Sequence, residues 1–126
     1  MNIVSLVNIE RILDEVRNNI RGFYISVDGD IKEREFDKEV DGVMYFDVDK
    51  IKSEANYDYF EIAYTSDSSV IFICDEEGAL KCRFDENGKE MMNNNIIASA
   101  IYQKLCNNHK AHLFGDVVIC HTSRVY

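Results

Sequence analysis

Residues 59–78, YFEIAYTSDSSVIFICDEEG, decide the fold. The run VIFIC at 70–74 is apolar on both faces of a strand, which places it centrally in a sheet. Before it, Phe60, Ile62 and Tyr64 share one face of a second strand, and Ser66 to Ser69 make the hairpin between the two. Downstream, Glu76-Glu77-Gly78 turns the chain into ALKCRF at 79–84. Its alternation predicts Leu80, Cys82 and Phe84 pointing inward, with Lys81 and Arg83 pointing out. Asp85-Glu86-Asn87-Gly88 turns the chain again. Near the far end, Gly115 leads into DVVIC, a strand expected to return to the sheet.

Upstream, Phe23, Ile25 and Val27 alternate with Tyr24 and Ser26 as a half-buried strand, and Asp28-Gly29 offers the positive backbone angles of a tight turn. The return strand, about Asp30 to Phe36, is mostly charged and therefore reads as a sheet edge. VMYFDV after Gly42 reads as another short strand. Asp47 or Asp49 can cap a short helix carrying Val48, Ile51 and Ala55. Two stronger helices frame the strands. Ile9, Ile12, Leu13, Val16 and Ile20 form one stripe, predicting a helix from about Ile9 to Asn19 with Asn8 as its cap and Gly22 beyond it. Ile97, Ala100, Ile101 and Leu105 form another, predicting a helix from about Ile96 to Cys106 capped by Asn95 and ended by Asn107-Asn108. The fold class is α+β, a mainly antiparallel sheet with two principal helices packed on it, covering one face.

The length fits one domain over 1–126, with an N-terminal helical segment (1–22) and a sheet plus second helix (23–121). With 46% hydrophobic and 29% charged residues the composition is that of a globular protein, and with no proline the turns fall to Gly, Asn and Asp. MNIVSLVNIERILDEV has no basic stretch followed by an apolar run, so no signal peptide is expected, and the apolar runs are too short to span a bilayer. A cytoplasmic location follows, in which the four cysteines stay thiols.

Net charge is −9, and residues 28–61 hold twelve acids against five bases. A field of that sign repels phosphate backbones, which argues against direct nucleic-acid binding. It suits a basic protein partner, and Tyr45, Tyr57, Tyr59 and Tyr64 lie in or beside the same segment, tyrosine being common at protein contacts. Charge that simply keeps the chain soluble is the plainer reading.

No motif carries a reaction. Cys74 and Cys82 fall on inward strand faces, where thiols are usually inert. Ser99 lacks a glycine elbow, and no glycine-rich phosphate loop is present. Cys106, His109 and His112, with Cys120 and His121 nearby in sequence, are the one cluster of soft metal ligands. Their spacing fits no zinc finger, so no metal and no cofactor is expected. The turn Asp75-Glu76-Glu77-Gly78 has too few ligands for a calcium loop and reads as a charged turn with Gly78 at positive φ. Asn93 to Asn95 near a helix start can cap the helix or, with Asp116, line a small-ligand site.

Four stretches carry a resemblance: YISVDGDIKEREFDKEV (24–40), YFEIAYTSDSSVIFICDEEGALK (59–81), NNNIIASAIYQ (93–103) and FGDVVIC (114–120). Together they resemble the small domains of unknown function encoded by phages and conjugative plasmids. The matching positions are Glu61 and Ile62 on a strand; Asp75, Glu76, Glu77 and Gly78 at a turn; Asn95, Ala98 and Ser99 at a helix start; and Gly115 and Asp116 on the last strand. The resemblance spans Phe23 to Cys120. It departs from the family at Ala55-Asn56-Tyr57-Asp58, where a glycine pair is usual. It implies a strand hairpin, a helix, two strands, a second helix and a last strand, no established enzyme activity, and an accessory gene of a mobile element.

The expected function is thus a non-enzymatic accessory protein acting through protein contact, on a host factor, with Glu33, Glu35, Glu39, Tyr45, Tyr57 and Tyr59 as the contact residues. A homo-oligomer is compatible with it. The alternatives are a small-molecule or nucleotide sequestering module with its pocket at Asn95 and Asp116, or an acidic nucleic-acid mimic.

Overall fold

The computed structural model describes residues 6–126. Five strands form one antiparallel sheet: β1 (Gly22–Ile25), β2 (Ile31–Arg34), β5 (Phe60–Tyr64), β6 (Val70–Asp75) and β9 (Val117–His121), in the order β2-β1-β9-β6-β5. The apolar run at 70–74 is an interior strand between β9 and β5, as its composition requires, and every residue of β6 is buried. Its partner β9 is equally apolar and is buried from Val117 to Cys120. The charged strand β2 lies at one edge and β5 at the other.

Three helices are present among the described residues: α1 (Leu6–Arg17), α2 (Val48–Glu54) and α3 (Ile96–Cys106). On one face of the sheet, Ile12, Leu13 and Val16 of α1 and Ala98 and Ile101 of α3 pack on Phe23, Ile25, Val70, Phe72, Val117 and Ile119. Each such large side chain taken out of water contributes about 1.5–3 kcal/mol. The other face is also covered, which corrects the expectation of a one-sided sheet. There Ile51 of α2, with Phe46 and Tyr57, packs on Ile71, Ile73, Val118 and Cys120. A sheet whose central strands are apolar on both sides cannot leave either side to water.

A small hairpin, β3 (Lys38–Val40) with β4 (Val43–Tyr45), precedes α2, and the C-terminal residues lie beside it. The Phe46 amide donates to the Arg124 carbonyl at 2.8 Å, and the Tyr126 amide donates to Phe46 at 3.1 Å. The hairpin over 26–30 is a three-residue loop in which Gly29 alone takes a positive φ, 93°.

Helix ends follow from the scarcity of glycine. Asn19, Asn56 and Asn107 sit at φ 59°, 59° and 49°, each just past one of the three helices. Asparagine is the residue other than glycine that most readily adopts this left-handed geometry. Beyond α1, Ile20 donates back to Glu15 at 2.9 Å and Asn19 to Val16 at 3.0 Å, the paired bonds of a Schellman stop. The helix therefore ends before Ile20, which is exposed, and it begins before Asn8, so that residue is not its cap. Helices α2 and α3 are capped as their sequences predict, by the Asp47 carboxylate and the Asn95 side-chain oxygen.

The segment ALKCRF departs from its reading. Leu80 ends a short 3-10 turn (Gly78–Leu80), and β7 (Cys82–Phe84) pairs only with β8 (Glu90–Met92), outside the main sheet. Leu80, Cys82 and Phe84 are exposed, not inward. The alternation is real, but among the described residues no layer packs against the apolar face of this hairpin. Gly78 has no positive φ; it is required because a Cβ there would stand 2.7 Å from the Phe114 carbonyl oxygen.

Candidate functional site

From the end of the 3-10 turn through β8 the chain leaves several large apolar side chains in water. Leu80 is 87% exposed, Phe84 64% and Met92 77%, with Met91 and Ile96 also exposed beside them in the chain. The register places Cys82 opposite Met92 and Phe84 opposite Glu90, so these four side chains share one face. The hairpin is well specified despite its exposure. The Asp85 carboxylate accepts from the amides of Asn87 and Lys89, both at 2.9 Å, which fixes the turn. Arg83 forms an ion pair with Asp28 of the β1–β2 loop, and Lys81 pairs with Asp75 at 2.6 Å, anchoring the base of the hairpin to the sheet. A shallow groove of about 340 Å³ runs along it, lined by Leu80, Cys82, Glu90, Met91, Met92 and Phe114. Flexible methionines beside a leucine and a phenylalanine make a surface that can adapt to an apolar partner. Residues 75–92 hold six acids and three bases, and with Lys81 and Arg83 tied internally the rim is acidic.

The acidic turn is part of this anchoring. Asp75 is buried; one of its oxygens takes Lys81 and the other accepts from the Glu77 amide at 2.9 Å. The Lys81 ammonium is held above its ordinary range by that bond. The carboxylate is occupied by the protein's own groups, not directed outward to a cation.

The residues singled out from the sequence do not converge. Glu33 accepts from Arg11 at 3.0 Å and from Arg21 at 2.5 Å, and Arg21 also lies 3.5 Å from Glu35, so the β2 edge is a zwitterionic network. Asp37 and Glu54, from the same acidic segment, are taken by Arg34 at 2.9 and 2.7 Å. Glu39 stands exposed on β3. Tyr45 is half-buried and packs against the Tyr126 ring at 5.2 Å. Tyr59 is exposed, 5.9 Å from the Lys52 ammonium.

Two of them are interior. Tyr57 is only 6% exposed and its hydroxyl donates to the Asp116 carbonyl, so it is a core residue under α2 and not a contact. Burial pushes its phenol well above the ordinary range. Asn95 is fully buried: its oxygen caps Ala98 while its amide donates to the carbonyls of Ile25 and Gly115. Asp116 accepts from the Tyr24 hydroxyl at 2.6 Å and from the Val27 amide at 2.9 Å. Burial and then this hydrogen bond raise the Tyr24 phenol far above its usual value. Both proposed ligand residues are thus hydrogen-bonded by the fold itself, Asn95 wholly inside it and Asp116 part-buried.

The soft-ligand cluster is dispersed. Cys106 is half-buried with its sulfur 4.0 Å from the Tyr64 carbonyl, His109 is exposed, and His112 is exposed against the Phe114 ring. Among the described residues no three His, Cys, Asp or Glu side chains gather as a metal site. Cys74 and Cys120 are buried, and desolvation pushes both thiols up to about 12. Ser99 is also buried; its hydroxyl accepts from the Leu113 amide at 2.8 Å and bonds Asn94. Among the described residues no helix is long and apolar enough to cross a membrane.

Comparison of the chain with family models, with curated proteins and with solved structures returns no match.

Proposed function

We propose that this chain is a non-enzymatic protein-binding accessory factor whose contact surface is the β7–β8 hairpin. The observation that carries this reading is the exposure of Leu80, Phe84 and Met92 along one anchored stretch, the end of the 3-10 turn and the hairpin that follows it. Exposed apolar residues in isolation are ordinary, but a contiguous set with an acidic rim is the usual composition of a recognition surface. The chemistry suits a partner that presents apolar anchors among basic residues. The resemblance to small phage and plasmid domains supports a mobile-element context, in which such a partner is a host factor.

The contact moves from the acidic segment expected from sequence to the hairpin for a physical reason. Glu33 and Glu35 already face Arg11 and Arg21, and Tyr57 is inside the core, whereas among the described residues the apolar side chains of the hairpin stay exposed.

Affinity capture from a bacterial lysate with three baits tests this: the native chain, L80S/F84S/M92S, and E33K/E35K/E39K. Loss of a captured protein with the hairpin variant alone supports the proposal. Loss with the charge-reversed variant alone returns the contact to the acidic segment, and retention by both variants sinks a specific role for either surface.

A further inference from the structure

We propose that the β5 edge pairs two copies of this chain, antiparallel and about a two-fold axis at Ile62, into one continuous sheet. The two edges of the sheet differ in kind. β2 carries Lys32, Glu33 and Arg34, with Glu33 held by Arg11 and Arg21; charged edges of that sort resist strand addition. β5, Phe60–Tyr64, instead exposes Phe60 and Tyr64 beside a half-buried Ile62, with a single charge, Glu61.

The backbone of β5 is also free in the right places. The Glu76 amide donates to the Tyr59 carbonyl at 3.1 Å, continuing the β5–β6 register by one pair. Antiparallel pairing alternates, so Glu61 and Ala63 bond inward to β6, while the N–H and C=O groups of Phe60, Ile62 and Tyr64 face away. The Tyr64 carbonyl has the Tyr102 hydroxyl at 3.3 Å and the Cys106 sulfur at 4.0 Å, both long contacts, so a strand amide arriving there displaces only weak partners.

The strand is complementary to itself. With Ile62 opposite its own copy, Phe60 meets Tyr64, Glu61 meets Ala63, Tyr59 meets Thr65 and Asp58 meets Ser66. No two like charges oppose each other, and two aromatic pairs flank a central isoleucine pair on the face that carries α2. Aromatic and β-branched cross-strand pairs are the favourable ones. Two-fold symmetry requires this kind of self-matching, since each residue i that meets j must also be met by it. An extended peptide from another protein has no such constraint to explain the match. A five-residue edge gives an interface at the small end of the specific range, below about 1,200 Å² in total, so the dimer is reversible.

Sedimentation equilibrium of the full chain over a concentration series, to ~1 mM, reads the association directly. The native chain is expected to shift from monomer toward dimer with concentration. Both F60K/Y64K and F60E/Y64E place like charges at each aromatic pair and are expected to remain monomeric, while an equimolar mixture of the two restores a dimer. Both β5 positions of the test are exposed, and circular dichroism checks that each variant is folded. A native chain that stays monomeric at the highest concentration overturns the proposal. So does dimerisation that survives in either charged variant, or that is lost in L80S/F84S/M92S and kept in the β5 variants.

Discussion

The side-chain amide of Asn95 donates to the carbonyl of Gly115 at 2.9 Å, inside the molecule, where neither group meets water. A second hydrogen of the same amide goes to Ile25, also at 2.9 Å, so one residue fastens the start of α3 to both β1 and the approach to β9. Asn95→Ala removes a helix cap, worth about 1 kcal/mol, and leaves two buried carbonyls without a donor, each about 1–3 kcal/mol. The expected loss is about 3 kcal/mol or more in urea unfolding. Asn95→Asp keeps the cap but turns an oxygen toward two carbonyls. It is expected to be no more stable than the alanine variant at neutral pH and to recover part of the loss when the carboxyl is protonated. A loss under about 0.5 kcal/mol for Asn95→Ala would show that the Asn95 bonds to Ile25 and Gly115 do not hold the layers together.

Asn95 also shows where sequence reading stops. Its capping role was legible because it depends on residues a few positions away. Its two long-range bonds were not, because they depend on the packing of β1 and β9, and an asparagine with spare donors looks the same as a ligand. Strands β1, β5, β6 and β9 were legible from alternation and apolar runs, and α3 from its stripe and caps. The outward face of ALKCRF was misread since alternation reports which residues share a side, not whether anything lies against it. Tyr57 was misread for a related reason: tyrosine is equally at home in a core that satisfies its hydroxyl and at a contact.

Arg17 and Asp67 join α1 to the turn between β5 and β6, with the guanidinium nitrogen 2.6 Å from the carboxylate. Asp67 also accepts from the Ser69 hydroxyl and amide, and these bonds, followed by Arg17, hold its carboxyl down at about 2 against an ordinary 3.8. A depressed carboxyl stabilises the folded state above its unfolded value and loses that contribution as pH falls through the folded value. Acid unfolding between pH ~4 and ~2 is therefore expected to steepen through this residue. Asp67→Asn is expected to flatten that window and to cost on the order of 1 kcal/mol at pH 7, discounted because Arg17 is partly exposed. Arg17→Ala should cost less than Asp67→Asn, since the serine bonds remain. An unchanged acid limb in Asp67→Asn would rule this out.

Thiol chemistry separates the four cysteines. Cys82 is exposed on the hairpin, and a hydrogen bond to Glu90 raises its thiol above the ordinary value. Cys74 and Cys120 are buried and pushed up to about 12. Alkylation of the native chain at pH 8 is expected to modify Cys82 first, Cys106 next, and Cys74 and Cys120 only with global unfolding. Glu90→Gln removes the carboxylate that holds the Cys82 proton, so its labelling should speed up while the other sites are unchanged. Peptide mapping by mass spectrometry reads all four at once, and rapid native labelling of Cys120 would contradict the placement of β9 in the sheet interior.

The hairpin sets stability against recognition most directly. Ile73 and Phe72 lie in the interior strand β6 with no exposure, and Leu80, Phe84 and Met92 are mostly exposed. Truncating a buried side chain forfeits its transfer free energy and leaves a cavity, so Phe72→Ala is expected to cost about 3–5 kcal/mol and Ile73→Ala about 2–5 kcal/mol. Leu80→Ser, Phe84→Ser and Met92→Ser remove apolar groups that are already in water, and each should fall within about ±0.5 kcal/mol of the native chain in denaturant melts. If these hairpin positions serve only the fold, their loss must register in stability. If they serve a contact, stability stays and solubility rises as the apolar patch is dispersed. A cost above about 1 kcal/mol at Leu80 or Phe84 would mean that the hairpin packs back on the chain in solution, and the recognition surface would then have to be sought elsewhere.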